Sequence, residues 1–164
     1  MRKKVIGVFG AGRLREDDPL WRQAEEVGQR LALAGCIVLT GGLGGVMAAA
    51  SRGARAAGGL TIGILPGDRR RPGPHPNPDV DIAIFTGMDE ARNVINVKTC
   101  DAAIAIGGEY GTLSEIALAL KVGCPLVLLA SWSLCRPDGG AAAGFFPAVT
   151  PEEAVRLAIG ACGP

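Results

Sequence analysis

Along this 164-residue chain, short runs of β-branched and aliphatic residues bounded by glycine alternate with longer segments whose apolar residues recur every three or four positions. The first pattern suits strands buried on both faces, and the second suits helices with one apolar stripe. Residues 5–9 (VIGVF), 36–40 (CIVLT), 60–66 (LTIGILP), 80–86 (VDIAIFT), 102–106 (AAIAI) and 125–130 (PLVLLA) predict strands, and FFPAV at 145–149 predicts a further edge strand. Between them, Leu20, Ala24, Val27 and Leu31 keep helical spacing behind Asp18 and Pro19, and Gly35 ends that helix. Residues 46–57 predict a small-residue helix, 89–99 another, and Leu113, Ile116, Ala117 and Leu120 mark a fourth. Thr150, Pro151 and Glu153 form a capping box that opens the last helix. The proline- and arginine-rich stretch 67–79 predicts an exposed, partly mobile loop, and 131–144 an irregular one. This alternation predicts an α/β fold over residues 1–164 as one domain: a doubly wound, mainly parallel sheet of six or seven strands with helices on both faces.

Composition narrows the chemistry. A formal charge of +1 points away from a nucleic-acid binder that works by neutralising many phosphates, and toward a small-molecule ligand. The five cysteines are odd in number and widely spaced, and His75 is the only histidine. They read as reduced core thiols of a cytoplasmic protein, with no disulfide and no metal held directly by the protein. The opening MRKKVIGVFGAG has a basic stretch before an apolar one. Its apolar run is too short for a signal peptide and lacks a cleavage pattern, so a first strand is expected there. No run is long enough to span a membrane, and no membrane partner is expected.

In a doubly wound sheet, ligands bind where the turns after strands lead into helix N-termini. Three glycine-rich turns fall at such places. The first carries Gly10 and Gly12 as a bare G-x-G, with Arg15 where a third fingerprint glycine would stand. Thr40 and Gly41 occupy the end of strand two, where an NAD site needs an acidic residue, so NAD is not expected. The second turn, Gly41, Gly42, Gly44 and Gly45 followed by Met47, follows a strand and opens a helix, as an anion site would. Tight packing also selects glycine there. The third, IGGEYGTLSE, leaves a buried strand through Gly107 and Gly108 and starts a helix at Gly111 and Thr112. Glu115 lies one turn further in, where the helix dipole favours an ionised carboxylate; its other reading is a dipole-stabilising surface residue. Arg92 sits just after strand four at the same sheet edge, where a guanidinium can grip a phosphate with two parallel hydrogen bonds; an exposed arginine at a helix start is unfavourable to the dipole, which weighs against plain surface decoration. Arg69, Arg70, Arg71 and His75 read as a solvated loop, with a charged lid as the alternative.

GGLGGVM, TIGILPG, TGMDEARN and GGEYGTLSEIALALKVGCP, in this order, resemble the molybdenum cofactor carrier-like branch of a superfamily. That superfamily also contains the cytokinin-activating "lonely guy" phosphoribohydrolases. The resemblance runs from about residue 4 to residue 130. It implies a Rossmann-like sheet, homodimers or tetramers, and a pocket for a phosphorylated ligand. The positions it marks for binding are Gly10, Gly12, Gly41, Gly42, Gly44, Gly45, Met47, Gly87, Met88, Arg92, Asn93, Gly108, Glu109, Tyr110, Gly111, Thr112 and Glu115. The hydrolase motif P-G-G-x-G-T-x-x-E, laid on residues 107–115, matches Gly108, Gly111, Thr112 and Glu115. Gly107 replaces its proline and Glu109 one of its glycines. A carboxylate at Glu109 repels a neighbouring phosphate unless it points away or accepts N–H groups from a pterin or purine ring.

The leading expectation is therefore a binding or carrier protein for a phosphorylated pterin- or nucleotide-like ligand, with molybdenum cofactor as the named candidate. The metal of that ligand is held by the pterin dithiolene. The alternative is cleavage of a nucleoside 5′-monophosphate at its N-glycosidic bond, with Arg92 and Glu115 as the catalytic pair. A third possibility is that the glycine turns are purely structural. Members of the superfamily are often labelled lysine decarboxylases. Lys3, Lys4, Lys98 and Lys121 offer no Schiff-base site, so neither that activity nor pyridoxal phosphate is expected.

Overall fold

The computed structural model describes residues 2–140 and 142–163. Its seven strands are β1 (Val5–Gly10), β2 (Ile37–Thr40), β3 (Thr61–Leu65), β4 (Ile82–Phe85), β5 (Ala102–Ile106), β6 (Leu126–Leu129) and β7 (Phe145–Ala148). They form one sheet in the order β4-β3-β2-β1-β5-β6-β7. Every neighbouring pair is parallel, so the expected mainly parallel sheet is parallel throughout. FFPAV does supply the seventh strand, at the edge beside β6.

Alternation along the central strands feeds two cores. Ile6, Val8, Ala102, Ile104, Ile106, Val127 and Leu129 face one side, where α1 (Pro19–Leu33), α2 (Val46–Ala56) and α5 (Pro151–Ala161) cover them. Phe9, Ala103, Ala105, Leu126 and Leu128 face the other, beneath α3 (Asn93–Thr99) and α4 (Tyr110–Val122). Being apolar on both faces, β5 is buried at every position. The α1 and α2 helices press together at small residues. A Cβ on Gly28 would strike the Ala50 carbonyl, and one on Gly53 that of Glu25. The Asp18 carboxylate caps α1 by accepting from Leu20 N–H at 2.8 Å.

The chain winds outward from β1 to β4 and then returns to lay β5 on the other side of β1. That reversal opens a crevice above the carboxyl ends of β1 and β5, the place where such sheets take ligands.

Several local expectations change. The helix expected over 89–99 is a 3-10 turn, Asp89–Arg92, followed by the short α3. Its start is forced by Asp89, whose φ of 46° lies in the left-handed region. The capping box forms with a shift: Thr150 Oγ1 accepts from Glu153 N–H, while Glu153 Oε2 accepts from Val149 N–H, one residue before the cap. The 67–79 loop is tied down at its far end, where Asn77 N–H donates to Gly42 O and Arg55 to Pro78 O. Arg69 lies over the Phe85 ring at 5.0 Å. Of the five thiols, Cys36 and Cys124 are buried and Cys135 is exposed, so not all belong to the core. No helix among the described residues is long and apolar enough to cross a membrane.

Candidate functional site

A cleft of about 250 Å³ opens at the switch point between β1 and β5. The turn after β1 contributes Gly10, Ala11 and Gly12, and the turn after β2 contributes Leu43 and Met47. Pro66 follows β3, and Asp89, Glu90, Arg92 and Asn93 follow β4. The start of α4 adds Glu109, Gly111, Thr112 and Glu115. Residues distant in sequence thus meet because a parallel sheet brings the carboxyl ends of all its strands to one edge.

The floor is built at the start of α4. Its first helical bond runs from Leu113 N–H to Glu109 O, which leaves the N–H groups of Tyr110, Gly111 and Thr112 without a helical acceptor. Glu109 stands at the N-cap without capping those groups with its side chain. Gly108 makes the turn possible: its φ is 109°, and a Cβ there would collide with the Thr112 side chain. A hydrogen-bonded link from Asn93 Nδ2 to Ser114 Oγ at 2.7 Å, and from Ser114 Oγ to Gly111 O at 2.7 Å, fixes this turn to the start of α3.

Arg92 stands at the start of α3 and is half-buried, not surface decoration. Its Nη1 donates to Gly41 O at 3.0 Å and to Ile64 O at 2.6 Å, bracing the ends of β2 and β3. That commits one nitrogen of the fork to the backbone and leaves Nε and Nη2 for a ligand. Burial pulls its pKa down, and Glu115 and Glu90 oppose the shift. The guanidinium also explains Gly41, where any Cβ would run into it and into Met47 Sδ.

Glu115 departs from its expected state. It is only 8% exposed, and Asn96 Nδ2 donates to its Oε1 at 2.8 Å. Burial pushes its pKa up to about 7, against the Asn96 hydrogen bond and the charge of Arg92. The carboxyl is therefore shared between its two protonation states at neutral pH, and it is no surface residue. Asn96 Oδ1 is buried without a partner, and a turned amide would offer it to the proton of a neutral Glu115.

Glu109 lines the cleft and, with Asp89 and Glu90, gives it a rim of exposed carboxylates. Of the other positions singled out from the sequence, Gly42 and Gly45 take positive φ in the turn after β2, where Val46 N–H is already bonded to Ala11 O. Gly44 packs near Gly12 O; Gly41, Gly42, Gly44 and Gly45 lie outside the lining, as do Gly87, Met88, Gly108 and Tyr110. Ala11, Leu43, Pro66, Asp89 and Glu90 line the cleft without having been singled out. A signal existed for Asp89 and Glu90, which stand in the same TGMDEARN stretch as Arg92.

The sequence pattern of the SLOG cluster4 family matches residues 3–155. An uncharacterized protein of Archaeoglobus fulgidus is 43% identical over 97% of both chains. Among solved structures, the molybdenum cofactor binding protein from the phototrophic bacterium Rippkaea orientalis is similar at a TM-score of 0.81, with 42% identity over 96% of each chain. The Moco carrier protein from Chlamydomonas reinhardtii is also similar at 0.81, with 36% identity over 98% of each chain. By match length and identity together, the chain belongs to the SLOG cluster4 family.

Proposed function

We propose that this protein is a carrier that holds a phosphorylated pterin, with molybdenum cofactor as the cargo. The observation that carries the reading is the row of N–H groups on Tyr110, Gly111 and Thr112 without a helical acceptor, at the helix start where Gly111 and Thr112 line the cleft. Those groups and the helix dipole suit a phosphate, with the Arg92 guanidinium beside them. Around the phosphate, carboxylates of Glu109, Asp89 and Glu90 suit the N–H edge of a pterin ring. This gives Glu109 a role away from the phosphate. Similarity to a molybdenum cofactor binding protein and to a Moco carrier protein supports the choice of cargo.

Mass spectrometry of the protein after gentle anaerobic purification tests this: a phosphorylated pterin is expected to be retained. Gly111→Asp supplies the control, because a Cβ at Gly111 meets no other atom within 4 Å, so the fold accepts a side chain there. A carboxylate placed within the N–H row repels a phosphate there and should abolish retention without lowering Tm. A purified wild type that holds no such ligand and does not take one up would end the reading.

A second reading rests on Glu115. A carboxyl with a pKa near 7 inside a cleft beside an arginine suits general acid–base work at neutral pH. In that reading Arg92 orients the phosphate of a nucleoside 5′-monophosphate and Glu115 acts at the N-glycosidic bond. Release of free base from AMP, GMP, CMP or UMP, abolished in Glu115→Ala, would replace the carrier reading with this one.

The assembly we infer is a homodimer or tetramer in which a second copy covers the β4 edge of the sheet. Ile82 and Ile84 pair in register with Ile62 and Ile64, which pack on the α3/α4 side. They are nevertheless 45% and 43% exposed.

A further inference from the structure

On the far side of the β5–α4 turn lies a second, shallower depression of about 430 Å³. Its lining comes from Leu20, Gly107, Gly108, Ala130, Ser131 and Trp132. Three observations separate it from an ordinary surface dent. Ala130 has a φ of 47°, and the other non-glycine residue in the left-handed region among the described residues, Asp89, lines the first cleft. Such strain persists only where the surroundings impose it, and it gathers at binding sites. Ser131 Oγ donates to Gly107 O at 2.6 Å, locking the turn after β6 to the turn after β5. Finally, Trp132 lines the depression with its Nε1–H buried and unpartnered, and the Tyr110 ring stands 6.2 Å from it, itself 82% exposed. An exposed aromatic ring beside a second ring with an unsatisfied donor is poorly arranged for packing alone. It is well arranged to receive a flat heterocycle, with a shift of Trp132 that would free its N–H for a ring acceptor.

The two depressions share one wall. Glu109 lines the first and Gly108 the second, one Cα step of about 3.8 Å apart, and Gly111 and Thr112 of the first turn of α4 line the first. We propose that this second depression is a ring subsite and that the ligand is of dinucleotide type. One heterocycle occupies the cleft, a pyrophosphate crosses the N–H groups at the start of α4, and a second heterocycle rests on the Tyr110–Trp132 pair. This rests on the phosphate reading above and extends it. The missing NAD fingerprint is no objection, because it concerns the turn after β1, whereas this pyrophosphate lies at the turn after β5.

Calorimetric titration of the full chain with GDP and with P1,P2-diguanosine pyrophosphate tests the proposal, since both carry a guanosine and a pyrophosphate and differ by the second nucleoside. The two-ring compound is expected to bind about tenfold more tightly, in keeping with base stacking on an aromatic side chain. Trp132→Leu, which keeps an apolar side chain against the α3/α4 core, should remove that gap and leave GDP binding as it was. Should that variant fold poorly, Trp21→Phe isolates the fluorescence of Trp132 in an otherwise native chain. The two-ring compound should then quench it where GDP does not. Equal affinities, or a gap that survives Trp132→Leu, would overturn the ring subsite while leaving the phosphate site intact. Failure of both compounds and of a pterin phosphate to bind would overturn the phosphate site, and the ring subsite with it.

Discussion

Glu115 shows how one residue's chemistry turns on its surroundings. In the unfolded chain it titrates as an ordinary carboxyl near 4.3, and in the folded protein burial holds its pKa at about 7. The native state therefore binds the extra proton more tightly than the unfolded state does. Its contribution to stability is full below pH 4.3, falls as the pH rises, and is gone above about 7, a span on the order of 3 kcal/mol. Glu115→Gln removes this titration. Measured against pH, the Tm of wild type should decline between pH 5 and 8 relative to that of the variant; parallel curves would show that Glu115 is not held neutral. The same burial makes Asn96 its necessary partner, because among the described residues no other side-chain donor bonds to this carboxyl.

At the scale of elements, glycine carries two different messages that the sequence prints alike. Gly28 lies inside α1 where that helix meets α2, and a Cβ there would push into the Ala50 carbonyl. Gly160 lies inside α5 with open space around it. Gly28→Ala should destabilise by about 1–3 kcal/mol through forced separation of the helices. Gly160→Ala should stabilise by about 0.5–1 kcal/mol through helix propensity. Urea midpoints at unchanged m would check both signs. The α4 turn obeys the same distinction: Gly108 is required by a left-handed φ, whereas Gly111 meets no steric limit and leaves the N–H row uncovered.

At the scale of the molecule, the sheet's two faces are unequally covered. Three helices close the α1/α2/α5 side and two close the other, leaving Ile82 and Ile84 in the open at the β4 edge. A charge there should cost a self-associating protein its partner and leave the protomer folded. Ile84→Glu is thus expected to lower the mass seen by light scattering while the far-ultraviolet circular dichroism stays unchanged. An unaltered mass would move the interface elsewhere.

What the sequence determined by itself is the part of this protein governed by local physics. Short apolar runs such as AAIAI, closed off by glycine turns, read as strands buried on both faces, Asp18–Pro19 and Thr150–Pro151 start helices by satisfying free N–H groups, and glycines follow strands where a helix must begin at once. From these the parallel sheet, its helices and the anion-ready start of α4 were all legible, as was the presence of Arg92 near that site. Tertiary structure decided what depends on dielectric and on distance between remote segments. It drew Arg92 down onto the carbonyls of Gly41 and Ile64, buried Glu115 against Asn96, and swung Asp89 into a left-handed turn where the sequence suggested a plain helix. It also placed Trp132 beside Tyr110, a pairing across 22 positions that no spacing rule encodes. Charge state and ligand geometry are set by how much water a fold excludes, and exclusion is a property of packed elements, not of any residue in the string.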